Sequence, residues 1–197
     1  MKPELPELLL PDAAAWRDWL EEHHLLSAGV WLVVGKQGGS VTALTRQSAL
    51  DEALCFGWID GQAARRDEET YLQRYTRRGP RSVWSLRNVG HIGRLEAAGR
   101  MRPSGRDAVD SAKADGRWDA AYAGPADTEV PQDLLDAIAA DPRAQQMFDV
   151  LSSQNRFALA YRLGRLKTQA ARERNIAGFV EMLSRRETFY PQRQFPD

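Results

Sequence analysis

The sequence predicts an α+β protein, with N-terminal helices beside a small antiparallel sheet and a helical C-terminal part. Helical and strand-like hydrophobic spacings alternate up to residue 79, residues 59–79 have the period of a hairpin, and only helical spacing follows. We therefore expect an α/β unit with an Arg-rich hairpin and following helices over residues 1–122, a helical part over 123–186 and a flexible tail over 187–197.

The first part of the predicted α/β unit contains two helices and a strand. Residues 13–24 (AAAWRDWLEEHH) carry large apolar side chains at helical spacing and follow Asp12, a favourable N-cap. Residues 29–39 (GVWLVVGKQGG) are rich in β-branched residues and end in Gly-Gly, which predicts a strand. Residues 45–56 (TRQSALDEALCF) predict a second helix that stops at Gly57.

Residues 59–79 change to a period of two, which predicts the hairpin. Tyr71, Gln73 and Tyr75 alternate with residues of the opposite face, and the DEE stretch at 67–69 supplies a turn. Such a hairpin joined to helices by short connections makes a small antiparallel sheet the expected arrangement.

After a loop at 79–85 the remaining sequence is predicted to be helical. Ser85 is a possible cap for a helix that runs to about Ala98, and residues 122–131, with Pro and Gly and no apolar periodicity, are the best linker candidate. Asp141 followed by a proline is a good helix start. The other predicted helices cover residues 102–116, 131–140, 141–151, 152–167 and 169–186.

The stretch EALCFGWIDG, residues 52–61, holds the single cysteine, and we interpret it as a structural junction. A helix would bury Leu54 and Cys55, Gly57 would end it, and Trp58 would pack in the core. A thiol near a helix C-terminus faces the negative end of the dipole, which raises its pKa. We therefore expect a core cysteine and not a nucleophile, and one cysteine cannot form an internal disulfide.

Cofactor and metal motifs are missing from the sequence. His23 and His24 are adjacent and His91 stands alone, so no pair has the spacing that chelates one ion. Phosphate-loop, dinucleotide-binding and nucleophile-elbow patterns are absent. No catalytic residue, metal site or cofactor is predicted.

Charge is segregated along the chain, although the formal net charge is zero. The net charge is −5 over residues 1–61, +7 over 62–106, −7 over 107–150 and +5 over 151–197. Two interpretations stay open. Arginine forks suit carboxylates and phosphates, which favours an anionic ligand, or the opposite blocks pair within the fold.

The Arg-rich hairpin and the following loop supply the candidate ligand site. An apolar pocket with a few convergent polar groups is the usual form of such a site. The alternative is a hairpin whose aromatic residues face the core and whose arginines face solvent. We expect Asp60 to pair with an arginine of the hairpin, such as Arg74. The candidate ligand-binding residues are Trp58, Asp60, Arg74, Tyr75, Arg78 and Trp84.

Membranes and nucleic acids are weaker candidates for partners. No apolar run is long enough to span a bilayer, and no signal peptide is recognisable, so we expect a cytoplasmic protein. The basic helix at 169–186 has an apolar stripe that could contact a membrane surface or pack on neighbouring helices. Nucleic-acid binding is unlikely because RNA-binding signatures are missing and an acidic block follows the basic one.

Several motifs resemble the YdeI/OmpD-associated family, also called the bacteriocin-protection family. They are EALCFGWIDG, YLQRYTRRGPRSVWS, GRMRPSGRDAVDSAKADGRWD and LKTQAARERNIAGFVEML, and the resemblance extends over roughly residues 12–185. Arg81 and Leu86 depart from the lysines of many relatives, and the segment YRLGRLK is less typical.

The resemblance implies a bacterial protein with an N-terminal unit similar to YdhG-like domains and a helical C-terminal part. It implies a link to tolerance of bacteriocins, cationic antimicrobial peptides and envelope stress, and it carries over no catalytic residue. We expect a non-enzymatic stress-tolerance protein with a small anionic ligand or a protein partner. The alternative is an enzyme acting on a small anionic substrate, with Asp60 or Tyr71 as the titratable group.

Overall fold

The computed structural model describes residues 5–196 and consists of two units. Four strands form one sheet in the first unit. The chain divides between Ala121 and Tyr122. Within residues 5–196, strands lie only in the first unit and helices lie in both, which confirms the α+β class. The elements of the first unit are β1 (Glu7–Leu8), α1 (Ala13–His23), β2 (Val30–Gly35), α2 (Arg46–Cys55), β3 (Trp58–Arg65), β4 (Thr70–Arg77), α3 (Leu86–Ala97) and α4 (Pro103–Ala114).

The sheet is mixed, whereas the sequence predicts an antiparallel one. Its strand order is β1-β2-β4-β3, and the predicted hairpin is β3 with β4. The N-terminal strand β1 runs parallel to β2, with Glu7 opposite Trp31. A strand of two residues between prolines has no alternation that sequence reasoning could detect.

One face of the sheet packs on the helices. Val30, Leu32 and Val34 of β2 lie opposite Tyr75, Gln73 and Tyr71 of β4, and all six therefore share a face. The three β2 residues and Tyr75 have no exposed surface. This confirms the predicted alternation in the hairpin.

Trp16 of α1 contacts three other aromatic side chains in the core. Its ring stacks on Trp19 at 5.2 Å between centroids and meets Trp58 edge-on at 6.3 Å and Tyr75 at 5.8 Å. The Trp16 indole N–H donates to the backbone oxygen of Ala49 at 3.1 Å, which ties α1 to α2. Aromatic pairs of this kind add about 0.5–1.5 kcal/mol each beyond the area they bury.

The junction predicted at EALCFGWIDG joins α2 to α4. Gly57 ends α2 with a φ of 73°, which favours glycine. The backbone N–H of Arg102 donates to the oxygen of Cys55 at 3.0 Å, and the Ser104 hydroxyl donates to the oxygen of Phe56 at 3.1 Å. The first turn of α4 therefore satisfies the last carbonyls of α2. Gly105 makes this approach possible, because a Cβ there would overlap the Cys55 backbone oxygen.

The second unit is helical, as its sequence predicts. Asp141 caps α6 by accepting backbone N–H bonds from Arg143 and Ala144 at 2.9 and 3.0 Å, which confirms the predicted helix start. The elements of this unit are α5 (Gln132–Ala139), α6 (Pro142–Asp149), α7 (Ser153–Gly164) and α8 (Gln169–Ser184).

The apolar stripe of α8 packs within its own unit. Phe179 and Leu183 belong to a buried cluster with residues of α5, α6 and α7. Arg172 makes two hydrogen bonds to Asp133 at 2.6 and 2.7 Å. These contacts confirm the packing alternative for the stripe, and a peripheral membrane contact through α8 stays a prediction.

Residues after α8 also contact the second unit. The Tyr190 backbone N–H donates to Asn155 at 2.9 Å, and the Phe189 ring meets Phe179 at 5.7 Å. The flexibility expected of the tail at 187–197 stays a prediction, and its last residue lies outside the described part of the chain.

Gly105→Ala is expected to lower the free energy of unfolding by about 2–3 kcal/mol, because the new methyl group must push α4 away from the end of α2. Gly93→Ala is the matched control. Nothing lies within 4 Å of a Cβ at Gly93 in α3, so this change should raise the stability by up to about 1 kcal/mol through helix propensity. Urea unfolding measures both values, and equal effects of the two changes would contradict the close approach at Gly105.

Candidate functional site

Trp58 belongs to the core of the first unit. It has no exposed surface, and its indole N–H donates to the backbone oxygen of His24 at 3.1 Å. Its ring meets Trp19 edge-on at 5.9 Å. The structure thus confirms that Trp58 packs in the core, and its indole donor already has a partner in the protein.

Arg74 and Tyr75 lie on opposite faces of β4. Tyr75 pairs with Val30 and Asp60, whereas Arg74 pairs with Trp31. Successive side chains of a strand point to opposite faces, so Arg74 does not face the helices with Tyr75. For the same reason Asp60 does not pair with Arg74, so the pairing that the sequence led us to expect is wrong. Its carboxylate lies 3.8 Å from the guanidinium of Arg46 at the start of α2.

Arg78 and Trp84 form a separate contact where the hairpin meets the loop at 79–85. The Arg78 guanidinium lies over the Trp84 ring at 3.6 Å, and it donates to the backbone oxygen of Val83 at 3.1 Å. Trp84 is buried and meets Trp118 at 4.9 Å. The structure therefore pairs Arg78 with Trp84 and Asp60 with Tyr75, and ligand binding at these residues stays a prediction.

Asp60 and Tyr75 belong to a larger polar cluster on the helix-facing side of the sheet. Asp51 and Asp60 act electrostatically on both Tyr75 and His91, and Asp60 also acts on Tyr71. Residues of β3, β4, α2 and α3 therefore share one region. We call it the Tyr75 cluster, and its members are Asp51, Asp60, Tyr71, Tyr75 and His91.

The Tyr75 hydroxyl is a buried donor without a partner. Tyr75 is fully buried, and its hydroxyl oxygen has no hydrogen-bond partner among the described residues. Burial, reinforced by the negative charge of Asp60, raises the pKa of Tyr75 far above its ordinary value. Burial also raises the pKa of Tyr71. Both hydroxyls stay protonated at neutral pH and serve as hydrogen-bond donors, not as bases.

His91 supplies a second donor. Its Nδ1 lies 3.4 Å from the Arg94 guanidinium, which can only donate, so Nδ1 accepts and the neutral ring carries its proton on Nε2. Burial lowers the pKa of His91, and the Asp51 carboxylate only partly opposes this, so the ring is neutral at pH 7. The Nε2 atom is buried and has no hydrogen-bond partner within residues 5–196.

The two carboxylates of the cluster differ in how firmly they are held. Asp51 is buried, and one oxygen accepts from Arg94 at 2.6 Å and from Gln47 at 2.8 Å. Asp60 is 23% exposed, and its contact with Arg46 at 3.8 Å is too long for a hydrogen bond. No described residue donates a hydrogen bond to Asp60, so its oxygens are acceptors available to a ligand.

The cluster combines two neutral donors that lack a partner, on Tyr75 and His91, with the carboxylate of Asp60. This set suits recognition of a hydrogen-bonding group. Across the described chain, no group of three or more His, Cys, Asp or Glu residues has the arrangement of a metal site.

Cys55 is not part of this chemistry. It is fully buried, and burial together with the charge of Glu52 raises the pKa of the thiol. A buried thiol with a raised pKa is a poor nucleophile, in agreement with the core position that the sequence predicts.

Sequence reasoning missed Asp51, His91, Arg94 and Arg46. The sequence of α2 held one signal: its apolar residues are not segregated on one face, since Asp51 and Glu52 stand between Leu50 and Ala53, and every residue from Ala49 to Cys55 is buried. A helix buried all round must bury its acidic residues too. His91 and Arg94 carry no such signal, because their roles depend on contacts between separate elements.

The structure is that of an α+β protein with a polar cluster on the helix-facing side of its sheet. Among the described residues, no helix combines the length and apolar character needed to cross a membrane. The chain belongs to the family of a domain of unknown function (DUF8412), whose model matches residues 8–108. Residues 127–186 match the family described as bacteriocin-protection, YdeI or OmpD-associated. No curated protein and no solved structure matches the chain significantly.

The second match confirms the resemblance to the YdeI/OmpD-associated family, over a shorter stretch than expected. The closing motif LKTQAARERNIAGFVEML lies inside residues 127–186, whereas EALCFGWIDG and the hairpin motif lie in the region of the domain of unknown function. The Tyr75 cluster also lies in that first region.

Tyr75→Phe is expected to raise the free energy of unfolding by about 1 kcal/mol, because it removes a buried hydroxyl that has no partner among the described residues. Tyr190→Phe is the control, since that ring is 40% exposed and the change should stay within about 0.5 kcal/mol. Chemical denaturation of the free protein measures both. A loss of stability in Tyr75→Phe would mean that the hydroxyl has a structural role.

Proposed function

We propose that the protein is a non-enzymatic binding protein that contributes to tolerance of bacteriocins or cationic antimicrobial peptides and of envelope stress. It would act in the cytoplasm through a small ligand or a protein partner. The family match at residues 127–186 supports the biological role. The buried, unpartnered hydroxyl of Tyr75 is the observation that carries the binding role.

Binding fits the cluster better than catalysis does. A general acid or base works best with a pKa near the operating pH. The pKa values of Tyr71 and Tyr75 are raised and that of His91 is lowered, so all three pKa values lie further from neutral pH than the ordinary values of these side chains. The unpartnered donors of Tyr75 and His91 instead gain hydrogen bonds when a ligand enters, and each such gain removes a cost of about 1–3 kcal/mol.

A small anionic ligand at the contact of Arg78 with Trp84 is a second candidate, as a substrate or as a bound effector. The observation in its favour is the guanidinium 3.6 Å above the indole ring, next to an indole N–H that is buried and has no partner within the described chain. Arginine suits anions because it offers several fixed donors. This candidate keeps the enzyme alternative open.

Expression of the chain in a sensitive bacterium is expected to raise survival under polymyxin or a bacteriocin. Tyr75→Phe and Asp60→Asn should lose most of this protection and leave the fold intact, because the first removes a donor from the cluster and the second removes its available negative charge and one acceptor oxygen. Tyr190→Phe should keep full protection. The measurement is the minimal inhibitory concentration at matched protein levels, checked by immunoblot.

Two further outcomes would contradict this proposal. Loss of protection in an Arg78→Ala variant, with Tyr75→Phe unaffected, would favour the anionic ligand at Arg78 and Trp84. Unchanged survival with the wild-type chain, at a protein level equal to that of the variants, would contradict the tolerance role.

A further inference from the structure

A cavity in the second unit has a lining that the function proposed above does not use. Its volume is about 340 Å³, and it lies where the first turn of α6 meets the end of α8. Both helices belong to the same unit and pack on each other. The lining is polar and contains three arginines. The described residues that form it are Arg143, Gln146, Ser184, Arg185 and Arg186.

The chemistry of this lining selects an anion. Among the described residues that line the cavity there is no carboxylate and no apolar side chain, so the cavity suits neither a cation nor an apolar ligand. Guanidinium groups only donate hydrogen bonds, and their fork geometry matches the oxygens of carboxylates and phosphates. The Gln146 amide can donate as well. A ligand that satisfies these groups carries negative charge and several acceptor oxygens.

The guanidinium of Arg143 is available to such a ligand. The backbone N–H of this residue donates to the Asp141 cap at 2.9 Å, but its side chain makes no hydrogen bond or ion pair within residues 5–196. Gln146 lies three residues later on the same face of α6, and its side chain also has no partner in that range. An anion can therefore bind both groups without breaking a contact of the described structure.

The carboxylates next to the lining in the chain do not cancel its positive charge. Arg185 binds Glu181 at 2.8 Å and lies 3.4 Å from Glu187. These side chains are all more than half exposed, and exposed ion pairs are weak, so Arg185 can turn toward an anion. The Asp141 carboxylate accepts from backbone N–H groups of the first turn of α6 and compensates the helix dipole. The charge of Arg143 therefore stays uncompensated in the described chain.

Arg186 occupies a backbone position that usually belongs to glycine. Its φ is 59°, and it is the one non-glycine residue with a positive φ in the described part of the chain. Its backbone N–H donates to the oxygen of Leu183 at 2.8 Å, and the N–H of Glu187 donates to the oxygen of Met182 at 3.0 Å. These bonds close α8 with a Schellman motif. Side chains strain this conformation, and such strain is common at ligand clamps, which favours a role for the Arg186 side chain.

We propose that this cavity binds a phosphomonoester group. Such a group carries a charge of about −1.5 to −2 at pH 7 and presents three acceptor oxygens. Because the oxygens point in different directions, they can accept from Arg143 and Gln146 on α6 and from Arg186 at the end of α8. A carboxylate is planar and has a single charge and two oxygens, so it leaves part of the lining unused. Soluble metabolites and phosphatidic acid both carry the phosphomonoester group, and two arms of one titration separate these sources.

The test is an NMR titration of the full chain at neutral pH and constant ionic strength, with inorganic phosphate, glycerol 3-phosphate and acetate as probes. The two phosphates should give saturable amide shifts at Arg143, Gln146 and Arg186. Acetate should bind more weakly than either phosphate by a factor of about three or more, because it offers fewer charge-assisted hydrogen bonds.

Three variants locate the binding. Arg143→Gln should weaken phosphate binding about five- to tenfold, as expected when a charge-assisted hydrogen bond is lost. Arg186→Gly should weaken it by a similar factor, while its Tm should equal or exceed that of the wild type because glycine removes the strain. Arg174→Gln is the matched control, since it removes the same charge from an exposed position of α8 outside the cavity and should bind like the wild type.

Vesicles of phosphatidylcholine, with and without phosphatidic acid, form the second arm of the titration. Binding that requires phosphatidic acid and is lost in Arg143→Gln identifies a lipid as the source. Binding of glycerol 3-phosphate without binding to either vesicle identifies a soluble compound. Equal affinity for acetate, an equal loss in Arg174→Gln, or no binding to any phosphomonoester probe would overturn the proposal.

Discussion

Two adjacent buried carboxylates on α2 hold the first unit together. Glu52 accepts from Arg17 of α1 at 2.6 Å and from Arg100, after α3, at 2.5 Å. Asp51, one residue earlier, binds Arg94 of α3 at 2.6 Å. Buried charges are costly unless they are paired, and removal of an arginine partner would leave a buried carboxylate without compensation. The two acids therefore fix three neighbouring segments around one central helix.

The candidate site depends on the same acids. Asp51 orients Arg94, and Arg94 sets the tautomer of His91, so the ion pair that anchors α3 also prepares a hydrogen-bond donor. Tyr75 adds a second donor from the sheet, where Trp16 packs against its ring at 5.8 Å. The core thus holds both donors in place in the free protein, which would lower the ordering cost of the proposed ligand binding.

The sequence was informative wherever a feature is local. The caps at Asp12, Ser85 and Asp141 lie within three residues of the N–H groups they satisfy, and all three were predictable. Gly57 as a helix end and the period of two in the hairpin are equally local. The edge strand β1 was not predictable, because two residues hold no pattern and its partner β2 lies more than twenty residues away.

The candidate site could be predicted only in part, because it depends on contacts between elements that are distant in the sequence. Asp60 and Tyr75 were identified as candidates, but the register of β3 on β4 places Asp60 opposite Tyr75 and not opposite Arg74. Asp51, Arg94 and His91 come together only when α2 and α3 pack, across 43 residues of chain between Asp51 and Arg94. A register or a helix contact of this kind follows from the whole fold, and a local pattern does not encode it.

The most direct measurement is a long-range ¹H–¹⁵N NMR spectrum of the histidine side chains in the free protein at neutral pH. We infer that His91 is neutral and carries its proton on Nε2, held there by Arg94 and Asp51. We expect the His91 signals, assigned by their loss in His91→Gln, to have the pattern of the neutral Nε2–H tautomer. A proton on Nδ1, or a charged ring, would contradict the account, because His91 would then not present the neutral donor that the site requires.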